Sequence, residues 1–470
     1  MEPQMTPSPI SFAHDTIVAV STPPGTGGIS VVRISGPDAL DIVGSVWRGT
    51  PLSDCTTHTA HLGRIVDESG CTLDEVVATL FLNPNSYTGE DTIELSCHGS
   101  RWIQREVVNL LIRNGARGAG PGEFSQRAFL NGKIDLAQAE GIVDLISSSS
   151  RAAHRLAMMQ ANGQFSKRLE DLRQQLINFA SLLELELDFS EEDVEFADRQ
   201  RLADLADRII AQLDKMADSY AAGKAFKEGI PVVIAGEPNV GKSTLLNLLL
   251  EEDKAIVSSI PGTTRDIIED TREINGVLFR FIDTAGIHST EDVVEQIGID
   301  RATDRLRRAA VIIWMVDTTS DILSQLHTIE NHQNEINPET YQYLIYNKID
   351  HPDSRLDNLP PVPEYINAVN RISASAATGV KEMMGLLTDA ADKMIKEGDE
   401  MMLTNARHYE AVIKGREALK RARTQLDAMI SADFIAQDVR ESLHHLGEIT
   451  GTISTSTLLH SIFSRFCIGK

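Results

Sequence analysis

Apolar positions along this 470-residue chain change their period from region to region, and the changes mark out its parts. Through the first 120 residues, short β-like runs alternate with turns: Thr16–Val20, Ile29–Ile34, Glu75–Leu82 and Thr92–Ser96. Helical stretches at Asp38–Val46 and Ile103–Asn114 interrupt them, and the mixture predicts a compact α+β domain. From Leu136 the period becomes helical. Phe165, Leu169, Leu172, Leu176, Phe179 and Leu183 recur at spacings of three and four, which puts them on one stripe. Leu202, Leu205, Ile209 and Leu213 continue in a second helix. Strand and helix then alternate over 228–390, as a doubly wound sheet requires. Helices resume afterwards, with Leu419, Ala422, Leu426 and Met429 on one stripe and Val439, Leu443, Leu446 and Ile449 on the next. These last helices make a poor domain alone. They are expected to pack on the helices of 136–225, so that the alternating region is inserted into one discontinuous helical domain.

Composition narrows the class. Hydrophobic content of 42 % with only 5 % aromatic fits a helix-rich soluble protein, and no apolar run is long enough to span a membrane. The segment Met1–His14 is polar and contains proline and Glu2, with no basic cluster, unlike a signal peptide. Cys55, Cys71, Cys97 and Cys467 are scattered, which predicts reduced thiols in a cytoplasmic protein rather than zinc ligands or a disulfide frame. A net charge of −24 argues against a surface given over to nucleic acid. The charge is uneven, however: Ser181–Gln200 carries eight carboxylates against one arginine. Arg101, Arg105, Arg113, Arg117, Arg127 and Lys133 face only Glu106 and Glu123 in their stretch.

The sharpest chemistry lies at Gly236-Glu-Pro-Asn239-Val240-Gly241-Lys242-Ser243-Thr244, between an apolar run and a helical one. Such a loop closes backbone N–H groups around a polyphosphate at a helix N-terminus. Lys242 would reach the β- and γ-phosphates and the Ser243 hydroxyl would ligate Mg²⁺. Further on, Phe279–Asp283 ends a strand before Thr284-Ala285-Gly286, which puts Asp283 near the metal and the Gly286 N–H near a γ-phosphate. Tyr343–Asp350 ends another strand in Asn347-Lys348-Ile-Asp350. A buried carboxylate there accepts two hydrogen bonds from guanine that adenine cannot offer. Leaving it unpaired would cost on the order of 1–3 kcal/mol, so GTP is selected. Ser373 and Ala374 follow at a distance suited to a backbone contact with the base. Between the first two motifs, the turn-rich 256–266 stretch holds Thr264, expected to complete the Mg²⁺ shell as a γ-phosphate-dependent switch. Ile287 follows the Asp-Thr-Ala-Gly turn where many GTPases carry a water-orienting glutamine, so hydrolysis needs another polar group or a cation.

Several segments together resemble the MnmE (TrmE) family of tRNA-modification GTPases: Thr22-Pro-Pro-Gly25 with Val32-Arg33-Ile-Ser-Gly36, Asn85–Asp91, Pro121–Phe129, Lys133–Glu140, Gly262-Thr-Thr-Arg-Asp266 and the terminal Phe463–Lys470. The resemblance runs end to end. It implies a tetrahydrofolate-binding and dimerising α+β domain at 1–130, a helical domain in two parts at 131–227 and 391–470, and an inserted Ras-like P-loop GTPase domain at 228–390. It implies that a 5-formyl or 5,10-methylene tetrahydrofolate meets Arg33, Glu90, Lys133 and Lys470. It further implies a K⁺ beside the phosphates, held by Asn239 and by Ser258, Ile260 and Thr263, with carbonyl dipoles favouring it over Na⁺. GTP contacts extend through Ser259, Pro261 and Gly262, and Glu295 is the catalytic glutamate that positions water. The implied process is modification at C5 of the wobble uridine of certain tRNAs. FAD would belong to an MnmG (GidA)-type partner in a hetero-oligomer, and no membrane is involved. A second reading, a ribosome-assembly switch of the Era/Der type, shares the phosphate loop; the front half and the terminal Phe-Cys-Ile-Gly-Lys speak against it.

Overall fold

The computed structural model describes residues 15–188, 199–251, 269–283, 304–394, 402–464 and 466–469. They fall into two compact units, each discontinuous in sequence: one within 1–143, 159–197 and 429–470, the other within 144–158 and 198–428.

The first unit is built on a seven-stranded sheet of β1 (Ile17–Val20), β2 (Ile29–Ser35), β3 (Trp47–Arg48), β4 (Thr59–Val66), β5 (Thr72–Phe81), β6 (Thr92–His98) and β7 (Arg117–Gly118). Its order is β3-β4-β5-β6-β2-β1-β7, antiparallel except for the β1–β7 pair. Helices Ala39–Val46 and Arg101–Arg113 cover one face, and Val32, Ile34, Val76, Leu80, Ile93 and Leu95 meet Val43, Val107 and Leu111 in the core. All four expected strands form. β4 escapes the sequence pattern because Thr59, His61 and Arg64 dilute it, and only its last turn of chain buries Ile65 and Val66. Ser100 starts the second helix, its hydroxyl accepting the Trp102 backbone N–H, a capping bond that satisfies an otherwise orphan donor.

In the same unit the helix Gln164–Asp188 packs on Ala432–Thr450. The whole stripe from Phe165 to Leu183 is buried, as its spacing predicts, and Val439, Leu446 and Ile449 are buried on the partner helix. Leu443 is only half-buried, and Ser442 takes the inner position beside it. The chain then returns to its beginning. Phe463 and Phe466 pack with Leu136 and Ala139, the Gly122 N–H donates to Cys467 O at 3.2 Å, and the Ser21 hydroxyl donates to Gly469 O at 3.1 Å. These contacts stitch the tail down at residues 466–469.

The second unit carries a six-stranded sheet: β8 (Ile230–Ala235), β9 (Glu269–Ile274), β10 (Val277–Asp283), β11 (Val311–Asp317), β12 (Tyr341–Asn347) and β13 (Ala368–Arg371). Its order is β13-β12-β11-β8-β10-β9, and only β9 runs antiparallel. Alternate residues feed two separate cores, Val232, Ile234, Phe279, Ile313 and Ile345 on one face and Val233, Ile312, Trp314 and Leu344 on the other. Burial on both faces explains why these strands read as continuous apolar runs. The helix Arg199–Asp218 packs on Ala406–Asp427. One expectation fails here: the stripe through Leu419, Ala422 and Leu426 stops at Asp427, and Met429 lies beyond the helix end at φ 55°, 74 % exposed.

Candidate functional site

β8 and β11 are neighbours, and the chain leaves β8 towards β9 and β10 but leaves β11 towards β12, so the connections from their carboxyl ends run in opposite directions. That switch point is where open α/β sheets bind ligands. The loop leaving β8 is made by its glycines. Gly236 has φ 144°, and a Cβ there would stand 2.3 Å from Met315 O; Gly241 has φ 103°, and a Cβ there would stand 2.3 Å from the Asn347 Nδ2. Asn239 takes the left-handed region at φ 65° without being glycine. Val240 is buried beneath the loop, while Asn239, Ser243 and Thr244 are exposed at its mouth. Lys242, the first residue of the helix Lys242–Glu251, arches back so that its Nζ donates to Gly236 O at 2.9 Å and Glu237 O at 2.8 Å. A cradle too tight for side chains, closed by an ammonium at a helix N-terminus, fits a polyphosphate.

Asn347, at the end of β12, joins this loop to the next. Its Nδ2 donates to Val240 O at 2.7 Å and its Oδ1 accepts the Ala374 N–H at 3.0 Å, all buried. Ser373 and Ala374 are buried with it. Lys348 takes φ 63° and its Nζ lies 2.6 Å from the Asp317 Oδ2. Asp350 corrects one expectation: its carboxylate is exposed rather than buried. The Ser373 hydroxyl, with help from Ser375, holds that carboxyl below its usual range. Guanine selection by Asp350 would therefore need a base that covers and desolvates it.

Sequence reasoning missed Asp317 and Thr318. Burial pushes the Asp317 carboxyl up, but bonds from Lys348 and Thr319 outweigh it and leave it below the usual range. Thr318 is fully buried, and its hydroxyl donates to Asn347 O at 2.9 Å and Lys348 O at 3.2 Å. The signal was available: an Asp-Thr-Thr step ends the strand next to the Asn-Lys-x-Asp strand. The backbone of Asp283 pairs with Ile234 of β8, so the strand end that carries Asp283 is beside the loop. Ser258, Ser259, Ile260, Pro261, Gly262, Thr263, Thr264, Thr284, Ala285, Gly286, Glu295 and Lys470 lie outside the described residues.

In the first unit, Arg33 and Glu90 come into one region. Arg33 Nε and Nη2 donate to Glu94 Oε1 at 2.9 and 2.7 Å across the β2–β6 rung, and its guanidinium lies 5.6 Å from both the Tyr87 and Phe124 rings. Glu90 accepts the Ser35 hydroxyl at 2.9 Å and the Arg127 Nη1 at 3.2 Å on each oxygen. Lys133 is exposed, its Nζ donating to Pro84 O at 2.9 Å. Arg127 was read only as one of a run of basic residues. It is 5 % exposed and also binds Asp15 Oδ1 at 2.7 Å and Glu123 Oε1 at 3.2 Å, while its Nε is buried with no partner among the described residues. Burial opposes ionisation of Asp15 and Glu123, but Arg117 and Arg127 together hold both carboxyls below their usual range. A fixed carboxylate beside aromatic rings and cations suits a flat heterocycle bearing N–H donors and acidic groups.

Among the described residues no group of three or more His, Cys, Asp or Glu could hold a metal ion, and no helix is long and apolar enough to cross a membrane. An Mg²⁺ at the Ser243 hydroxyl would need no such cluster, since nucleotide phosphates and waters would supply the greater part of its shell.

Residues 16–133 match the family described as GTP-binding protein TrmE N-terminus, and residues 136–467 match the MnmE helical domain. The chain belongs to the MnmE family. The tRNA modification GTPase MnmE of Christiangramia forsetii is 47 % identical over 473 residues, covering 97 % of this chain and 99 % of that one. That of Flavobacterium johnsoniae is 48 % identical over 468 residues, with 97 % and 99 % covered. That of Cytophaga hutchinsonii is 47 % identical over 467 residues, with 99 % and 100 % covered. The MnmE helical match brackets the parallel sheet, which agrees with a GTPase domain set within helices. The solved FeoB G domain of Methanococcus jannaschii covers 35 % of this chain and 97 % of its own at 23 % identity and a TM-score of 0.26, a likeness that carries no weight here. The chain is thus a GTPase of the MnmE kind, and the Era/Der reading has no support in these matches.

Proposed function

We propose that this GTPase works with potassium stimulation and, with an MnmG-type FAD protein, modifies C5 of the wobble uridine of certain tRNAs using a tetrahydrofolate one-carbon unit. One observation carries the GTP half: Asn347 ties the phosphate loop at Val240 to the base-side loop at Ala374, making a single site that spans phosphate and base. In this reading the loop amides and Lys242 grip the triphosphate, Ser243 and Thr264 hold Mg²⁺, and Asp350 accepts the guanine N–H groups. Glu295 positions the attacking water. A K⁺ held by Asn239, Ser258, Ile260 and Thr263 would offset charge growing on the phosphates, the role that Ile287 cannot fill.

The folate half is supported by the Glu90 carboxylate fixed between Ser35 and Arg127, with Arg33, Tyr87 and Phe124 alongside. The tail that ends in Lys470 is held through Gly469 against Ser21, close in sequence to β2. A bound folate would supply the one-carbon unit; Glu90 would take its pterin N–H donors, and Lys133 and Lys470 its acidic end. Dimerisation through the N-terminal domain belongs to the same reading.

GTP turnover by the purified chain tests the cation. Exchanging K⁺ for Na⁺ should slow it at least about tenfold, and Glu295→Ala should lower it about 10²-fold with GTP binding intact. Equal rates in the two salts would remove the cation from the mechanism. Titration with 5-formyl tetrahydrofolate tests the second half, and wild-type affinity surviving in Glu90→Gln would remove that carboxylate.

A further inference from the structure

The helix Arg101–Arg113 buries Gln104, Val107, Leu110 and Leu111 and turns its other side to solvent. On that outer side stand Arg101, Trp102, Arg105, Ile112 and Arg113. At 1.5 Å per residue the arginines span about 18 Å, the reach of several successive backbone phosphates. Between 101 and 117 the chain has four arginines and one glutamate, although it carries −24 overall. Arg101 has no ion-pair or hydrogen-bond partner among the described residues. Arg105 pairs with its neighbour Glu106 at 3.3 Å, and Arg113 with Glu68 at 3.1 Å, a carboxylate that is itself 72 % exposed. Pairs this open contribute little and exchange readily for another anion.

The tryptophan separates this face from an ordinary solvated one. Of the three in the chain, Trp47 and Trp314 are buried, and each indole N–H is satisfied, by Thr50 O and by Gln342 Oε1, at 2.9 Å in both cases. Trp102 is 54 % exposed, and its indole N–H has no partner among the described residues. An exposed indole among arginines is the recurring platform for unpaired bases: phosphates meet the cations, and a base stacks on the ring.

We propose that the outer face of the Arg101–Arg113 helix docks tRNA, with Arg101, Arg105 and Arg113 on phosphates and Trp102 stacked on an unpaired base. The inference rests on tRNA being the substrate. It adds where the chain touches it.

Fluorescence anisotropy with a labelled tRNA transcript and the full-length chain, repeated over a range of salt, tests it. Replacing all three arginines by glutamine should weaken binding at least about tenfold and flatten the plot of log affinity against log salt by about 2–3 units, since each phosphate contact contributes about 0.7–0.9. Trp102→Ala should weaken binding about tenfold with the salt slope unchanged, and Trp102→Phe should restore most of it. The circular-dichroism spectrum and melting curve of every variant should match the wild type, which shows that each folds, and GTP turnover should be unchanged. Wild-type tRNA affinity and slope in the variants would overturn the assignment while leaving the substrate reading intact. No tRNA binding by the wild-type chain would overturn both. Loss of the flavoprotein partner with tRNA binding unchanged would make the face a protein interface and the proposal wrong.

Discussion

The two sheets of this protein hold their candidate sites in opposite ways. In the largely parallel sheet every described site residue stands at or just past the carboxyl end of a strand, and the loops there touch through backbone atoms and one buried amide. In the mixed sheet the site residues come from the middle of β2, the loop before β6, a short helix and the returning tail, and charge holds them together. Parallel strands aim all their ends the same way, so a contiguous motif is already a placed motif. An antiparallel sheet offers no such common edge, and its site depends on register and on ion pairs between distant segments.

Removing the cation at the centre of the mixed-sheet network should have the largest effect. Arg127→Met leaves Asp15, Glu90 and Glu123 without their shared guanidinium and should destabilise the first unit by about 3–5 kcal/mol, measured by hydrogen exchange of the β1 and β2 amides. The same network predicts an acid response. Asp15 and Glu123 titrate lower when folded, so their stabilisation is fully present above about pH 5 and is lost as pH falls through the depressed values. That loss should be shallower in Arg127→Met. Equal pH profiles would show that Arg127 adds no charge stabilisation beyond that of Arg117.

The parallel-sheet site should break at backbone rather than at charge. Gly241→Ala forces a side chain into φ 103° and against the Asn347 amide, and GTP affinity should fall about 10²-fold with the N-terminal sheet untouched. A fluorescent GTP analogue reads it directly, and unchanged affinity would mean that the loop relaxes around the methyl. A smaller effect is expected at the tail. Gly469→Ala places a Cβ 2.2 Å from Val20 O at φ 98° and should cost about 1–2 kcal/mol of docking. It should show as faster exchange at 466–469 and weaker folate binding, with GTP turnover unchanged. Met429→Ser should change stability by less than about 0.5 kcal/mol in a urea titration, because that side chain lies outside the stripe it was read into.

The helical stripe of 165–183, the doubly wound order and the phosphate and base motifs were all legible before any coordinates, because each is a local periodicity or an unbroken run of residues. β4 was not, since its apolar signal occupies only the last positions of the strand. Asp317 and Thr318 were not, since neither belongs to the motif it supports. Arg127 was visible as a basic residue but not as a buried one; nothing in its neighbours announces three carboxylates arriving from residues 15, 90 and 123.

The chain alone determined what kind of loop grips phosphate, which strand ends face it and which family the whole length belongs to, because backbone conformation at glycine and the period of apolar residues are written locally. Tertiary structure alone decided that Asp350 waits in solvent, that residues 466–469 lie against the first strand, and that one buried arginine gathers the carboxylates of Asp15, Glu90 and Glu123. Those outcomes depend on long-range burial and electrostatics, and residues far apart in sequence acquire a shared dielectric only once the fold has closed around them.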